Sequence, residues 1–273
     1  MALAPVPKPQ PDDPDDDESL DERDGSGGRM SFLEHLDEFR RRIINAVVAL
    51  FAGFLIAFAF IGPLFDFVMR PMQEMLAEGQ TLIYTNPTEA FILDIKLALI
   101  AGLVLASPLV MFQVWRFIAP GLYVGEKKWA IPFVVLSTVC FVTGAAFSHY
   151  IVFPFAWQFF SDYGAARDIV SFMPRIEPAF AMYIRLILAF GVVFEMPTLV
   201  LFLARMGLLT PKFMIKNFRY FVLIAVIVSA VITPPDVISQ LAMTGPMLGL
   251  YGLSIGIAWA FGKREKKITP YGG

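Results

Sequence analysis

Residues 218–261, FRYFVLIAVIVSAVITPPDVISQLAMTGPMLGLYGLSIGIAWAF, decide the fold. They hold two apolar runs, Phe218 to Ile232 and Val237 to Phe261, joined by Thr233-Pro234-Pro235-Asp236, and their only charged residues are Arg219 and Asp236. Continuous runs without alternation read as helices in lipid, because only helices and closed barrels satisfy every backbone donor and acceptor there. A span needs about 20 apolar residues to cross about 30 Å of hydrocarbon. The second run is long enough. The first gives only about 22 Å of helix at 1.5 Å per residue, so it must thin the bilayer or lean on its neighbours.

Outward from this pair lie four more such runs, Ile43 to Ile61, Phe91 to Val114, Trp129 to Phe153 and Phe180 to Leu203. The expected fold class is therefore an all-α integral membrane protein with six transmembrane helices. Lys and Arg fix the orientation. Arg29, Arg40, Arg41, Arg42, Arg116, Lys127, Lys128, Arg205, Lys212, Lys216, Arg219, Lys263, Arg264, Lys266 and Lys267 fall on one side, against Arg70, Arg167 and Arg175 on the other. That bias puts both termini in the cytoplasm, as an even number of spans requires.

Three segments follow: an acidic cytoplasmic tail at 1–30, a membrane domain at 31–262 and a short basic tail at 263–273. The first tail carries Asp12, Asp13, Asp15, Asp16, Asp17, Glu18, Asp21, Glu22 and Asp24, is rich in Pro and has no apolar run. It is expected to be disordered, and it lacks the basic region and apolar core of a signal peptide. A solvated leader without a specific role is its simplest reading. The formal charge of −2 conceals a basic remainder, because Met1 to Gly28 holds nine of the acids and only two bases, Lys8 and Arg23.

Several chemistries are set aside. Cys140 stands alone, and His35 and His149 fall near opposite faces, so neither a disulfide nor a metal site is expected. Gly252-Leu253-Ser254-Ile255-Gly256 matches a hydrolase nucleophile elbow only as letters, since it sits inside a span. Gly256 to Lys263 lacks the spacing and the Ser or Thr of a phosphate loop. No cofactor and no nucleic acid is expected. Gly245, Gly249, Gly252 and Gly256 instead form a stripe on one helix face that admits a close neighbour, either internal or from a partner subunit.

Charge at membrane depth is a functional hypothesis by default, and Glu195 is the foremost case. It lies inside the fourth span beside Pro197, which removes a backbone donor and should kink the helix. Glu195 then either patches the broken helix or offers a polar surface to water or to a partner. Asp94, Lys96 and Arg185 lie near span starts, from which they can snorkel. At the cytoplasmic entrance, Ser31 and Glu34 read as a capping box, and Glu34, Asp37 and Glu38 share a face with Arg41 and Arg42 one turn on. The next loop offers Phe117-Ile118-Ala119-Pro120-Gly121-Leu122-Tyr123 and Glu126, aromatic groups beside a carboxylate that could receive a cationic peptide.

The block Ser31-Phe32-Leu33-Glu34-His35-Leu36-Asp37-Glu38-Phe39-Arg40, the loop from Phe117 to Glu126, Phe194-Glu195-Met196-Pro197 and Thr233-Pro234-Pro235-Asp236 resemble the TatC family, the multispanning subunit of the twin-arginine protein translocase. The resemblance runs in order over nearly everything after Ser31. Phe39 departs from the family's usual Leu, and the acidic leader is an unusual addition. The resemblance implies a cupped helical arrangement in a prokaryotic inner membrane, without enzymatic chemistry. It implies a receptor for signal peptides with paired arginines that passes folded proteins across the membrane on the proton-motive force. The implied partners are TatA-type and TatB-type subunits and further copies of the chain itself. Glu38 and Glu126 match the family's acidic recognition positions, with Arg40, Phe117 and Pro120 organising the entrance. Glu195 matches its intramembrane glutamate, and Asp236 lies in a turn that is either a connector or a docking point. The outer loops Gly62 to Ala90 and Pro154 to Ala179 are expected to pack as caps. A proton-coupled small-solute transporter would also explain Glu195, but predicts an internal repeat that the sequence does not show. An intramembrane protease lacks a catalytic pair at one depth.

Overall fold

The computed structural model describes residues 32–76, 81–118, 130–165, 173–233 and 236–262. The leader, Ser31, Pro120, Glu126, Pro234, Pro235 and the basic tail lie outside the described residues. The elements are α1 (Phe32–Ala59), α2 (Ile61–Glu74), α3 (Glu89–Ile118), α4 (Ala130–Phe147), a π turn (Ser148–Val152), α5 (Phe153–Ala165), α6 (Ile176–Val193), α7 (Met196–Met206), α8 (Pro211–Lys216), α9 (Phe218–Ile232) and α10 (Val237–Phe261). Five apolar stretches are long enough to cross a bilayer, and α9 is the shorter sixth. The six expected spans correspond to α1, α3, α4 with α5, α6 with α7, α9 and α10. The face of the molecule holding α2 is called the outer side below.

In lipid, apolar contact brings no hydrophobic gain, so helices associate through small residues and polar groups. Gly53 and Gly102 supply the first device. A Cβ on Gly53 would collide with the Gly102 carbonyl oxygen, and one on Gly102 would lie 2.5 Å from the Phe54 nitrogen, so α1 and α3 pack antiparallel with their backbones nearly touching. Gly144 does the same for α4 against the Phe190 carbonyl of α6. The core sits where α2 to α6 meet, with Met69, Met72, Leu97, Phe153, Phe180 and Leu186 each under 3% exposed. A second cluster of Val200, Ala204, Met214, Tyr251 and Ala258 ties α7, α8 and α10 together. Val231 and Trp259, at 75% and 82% exposure, mark faces turned toward lipid.

Two expected loops prove partly helical. Pro154 does not end the third span, because the chain widens into the π turn, where the Phe153 N–H donates to the Ser148 carbonyl five residues back. That wider turn accommodates the proline ring, which would otherwise press on the preceding turn. The helix then runs on to Ala165. The outer loop after α1 contains α2, whose Val68, Met69, Pro71 and Met72 are buried. The two outer segments also meet. Ile83 and Arg175 form a parallel bridge, with the Ile83 N–H on the Pro174 carbonyl at 3.2 Å and the Ile176 N–H on the Ile83 carbonyl at 2.9 Å.

Candidate functional site

At the end of the molecule away from α2, residues four apart share a helix face, so α1 presents His35 with Phe39 on one line and Glu38 with Arg42 on the next. The antiparallel register set by Gly53 and Gly102 brings Phe117 of α3 between the first pair. Its ring stacks on His35 at 4.6 Å and tilts against Phe39 at 5.2 Å between centroids. Phe39 thus extends the aromatic platform. On the neighbouring line Arg42 Nη2 donates to Glu38 Oε1 at 2.8 Å. The other carboxylate oxygen of Glu38, Nε of Arg42 and Oε1 of Gln113 are buried without partners. Gln113 lies one turn before Phe117, and the same register places it level with Arg42. It escaped the sequence reading, and only the Gly53–Gly102 pairing could have pointed to it.

This corner therefore holds a half-used carboxylate beside an aromatic surface. A carboxylate has about four lone-pair sites and accepts a guanidinium in bidentate fashion. Phe117 lies on His35 and Phe39, on the line of α1 next to Glu38. Arg40 does not join them: it is exposed on α1, and its position two residues on from Glu38 turns it to another face. Pro120 and Glu126 lie outside the described residues.

Glu195 lies where the fourth span breaks. α6 stops at Val193 and α7 starts at Met196, with Phe194 and Glu195 forming the joint. Pro197 has no N–H for the Val193 carbonyl, while the Leu199 N–H still reaches the Glu195 carbonyl at 2.9 Å. The Glu195 side chain is 8% exposed, has Ser137 of α4 as a hydrogen-bonding neighbour, and keeps one oxygen unpartnered. Thr198 donates to the Cys140 sulfur at 3.4 Å nearby. The kinked fourth span thus carries a polar pocket between α4 and α7.

Asp236 has a local task. Its Oδ1 accepts from the Ser239 N–H at 2.7 Å, capping α10, while Oδ2 is buried without a partner. A polar seam binds the short α9 to α10, with Ser229 and Thr244 hydroxyls 2.9 Å apart and the Gln240 amide on the Val226 carbonyl at 3.0 Å. Gly245, Gly249, Gly252 and Gly256 have no atom within reach of an added Cβ. Their stripe makes no contact of this kind among the described residues. A further cluster went unread in the sequence: Arg175 reaches Thr85 at 2.7 Å and Glu89 at 3.2 Å, and Glu89 also accepts from the Thr85 hydroxyl at 2.9 Å. It clamps the two outer segments together.

The profile of the family described as Sec-independent protein translocase protein (TatC) matches residues 34–246. A Sec-independent protein translocase protein TatC from Desulforapulum autotrophicum is 41% identical over 237 residues, covering 87% of each chain. Its counterpart from Koribacter versatilis is 41% identical over 242 residues, 87% of this chain and 88% of that one. The crystal structure of the twin arginine translocase receptor TatC superimposes with a TM-score of 0.74 at 35% identity, over 83% of this chain and 99% of that one.

Proposed function

The chain belongs to the TatC family, the Sec-independent protein translocase proteins, and from that premise we propose that its cytoplasmic entrance receives the paired arginines of a signal peptide. As a member it is a multispanning membrane subunit of a protein translocase, a transport component rather than a catalyst. The transporter alternative raised by Glu195 gives way to that membership.

The observation that carries the proposal is the unpartnered oxygen of Glu38 at 2.8 Å-paired Arg42, beside the His35–Phe117–Phe39 stack. An incoming guanidinium takes that oxygen and lays its plane on the aromatic platform, whereas an ammonium offers a point charge and no plane. Glu126 supplies the carboxylate for the second arginine, Pro120 stiffens the loop that carries it, and exposed Arg40 orients the approaching peptide. Both termini lie in the cytoplasm of a prokaryote, and the folded cargo crosses the inner membrane on the proton-motive force. TatA-type and TatB-type single-span partners and further copies of the chain dock on the exposed faces of α9 and α10, where the glycine stripe permits close approach. Glu195 serves the translocation path as a polar, water-admitting point.

Photo-crosslinking from positions flanking Glu38 and Glu126 to a signal peptide, in its Arg-Arg and Lys-Lys forms, tests this. Selective capture of the Arg-Arg form, lost in Glu38→Ala, is expected. Equal capture of both forms would overturn the proposal.

A further inference from the structure

Arg185 stands nine residues inside α6, which begins at Ile176, and so about 14 Å along the helix from its outer end. The sequence reading placed it near a span start, from which it could snorkel. It is exposed on the helix surface and forms no ion pair or hydrogen bond among the described residues. A bare guanidinium facing hydrocarbon is costly and normally finds a partner.

Arg185 also lines a cavity of about 410 Å³ on the outer side. Trp157 and Phe160 of α5, Pro178 and Met182 of α6, and Ile232 of α9 form its walls. Arg175 closes the upper end of the cavity but is already engaged by Thr85, Glu89 and Glu177. Arg185 is therefore, among the described residues, the charge of this groove that has no ion-pair partner. The groove ends at Ile232, the last residue of α9, the span that reaches only about 22 Å against a hydrocarbon core of about 30 Å.

We propose that this groove is a phospholipid site: Arg185 holds the phosphate of a lipid from the leaflet opposite the termini, and the walls hold its acyl chain, drawing the headgroup plane down beside α9. Charge complementarity favours a phosphate, which the planar guanidinium matches with paired donors. The open groove of about 410 Å³ is walled mainly by apolar side chains, which suits an acyl chain. The site also accounts for how a span about 8 Å too short is accommodated, since a lipid bound low on α6 thins the bilayer where α9 ends.

The test uses the full chain in nanodiscs of phosphatidylglycerol and phosphatidylethanolamine, with phosphatidylglycerol carrying a photoreactive acyl chain as probe, and native mass spectrometry after detergent release. Wild type is expected to retain phospholipid and to crosslink at Met182 and Ile232. Arg185→Gln should lower both at least tenfold, Arg185→Lys should keep most of the binding, and Arg70→Gln, on exposed α2, should change neither. Ala181→Trp fills the groove with the guanidinium intact and should also expel the lipid, which keeps the proposal testable if Arg185→Gln does not fold. Equal retention in wild type, Arg185→Gln and Ala181→Trp would overturn it, as would a lipid crosslink at Met182 of equal yield in all three. Signal-peptide affinity at Glu38 is a separate readout, so failure here is distinguishable from failure of the receptor reading.

Discussion

Exchanging Glu38 for Gln removes a charge while keeping the shape of the side chain. Glu38 spends one oxygen on Arg42 at 2.8 Å and leaves the other without a partner. A hydrogen bond to a charged group contributes about 1.5–3 kcal/mol, and about 1.4 kcal/mol is a factor of ten in affinity. Glu38→Gln should therefore weaken an Arg-Arg signal peptide by about 10- to 150-fold, measured as the dissociation constant of a fluorescent peptide on the purified chain in nanodiscs. A Lys-Lys peptide should lose less, because it never had the planar, bidentate contact. Arg42→Gln should act in the opposite sense, since Arg42 competes for the same carboxylate. Its removal should therefore tighten the Arg-Arg peptide, at a cost to folding stability because the pair is largely buried. If Glu38→Gln leaves the Arg-Arg affinity unchanged, or Arg42→Gln weakens it, Glu38 is an internal ion-pair partner and the receptor argument at this corner is wrong.

Three other variants test the frame around the site. Gly102→Leu places a Cβ within 2.7 Å of the Phe54 Cα and should cost about 1–3 kcal/mol by overpacking, read as a lowered melting temperature in detergent together with loss of Arg-Arg selectivity; an unchanged melt would refute the close α1–α3 approach. Asp236→Ala removes the cap on the Ser239 N–H and should destabilise by about 1 kcal/mol, with faster hydrogen exchange confined to the first turn of α10; protein export at the wild-type rate with an unaltered exchange pattern would return the turn to a plain connector. At Glu195, Gln keeps the hydrogen bonding and Ala does not, so export should fall more in Glu195→Ala than in Glu195→Gln. Normal export by both would remove the intramembrane carboxylate from the mechanism.

What the sequence made legible is what has a local cause. The expected bounds of the fifth and sixth spans, Phe218 to Ile232 and Val237 to Phe261, coincide with α9 and α10, because Asn217 and Asp236 stand at the N-caps where the apolar runs begin. The break at Glu195 follows from Pro197 two residues on. The i,i+4 spacing of Glu38 and Arg42 places them one turn apart on α1. Features that depend on distant partners stayed hidden. Nothing in the run around Pro154 announces a π turn, since its effect is to absorb a proline that would ordinarily end the helix. Spacing alone drew attention to the glycines of α10, which make no such close contact among the described residues, whereas Gly53 and Gly102 bring two helices together and lie in different spans. The stack of His35, Phe39 and Phe117 requires that register, as does the placement of Gln113. Glu89 and Arg175 meet only because two outer segments cross.

The fourth span carries both intramembrane charges, Arg185 and Glu195. It runs from Ile176 to Met206, 31 residues, or about 46 Å of helix, so it overshoots about 30 Å of hydrocarbon by about 8 Å at each end. Arg185 then lies about 6 Å below one boundary, and Glu195, eleven residues from Met206, about 8 Å above the other. The ten residues between them span about 15 Å, half the ordinary apolar thickness. A headgroup drawn to Arg185 and water admitted to Glu195 would leave a barrier of that reduced width along α6, beside the one helix too short for a full bilayer. Water accessibility of nitroxide labels scanned along the exposed face of α6 and α7 measures it directly: the dry window should extend only from about Arg185 to Glu195 and should widen toward about 20 residues, the normal span length, in Arg185→Leu with Glu195→Leu. A dry profile of full width in the wild type would mean that both charges are compensated within the protein and that the membrane beside them is not thinned.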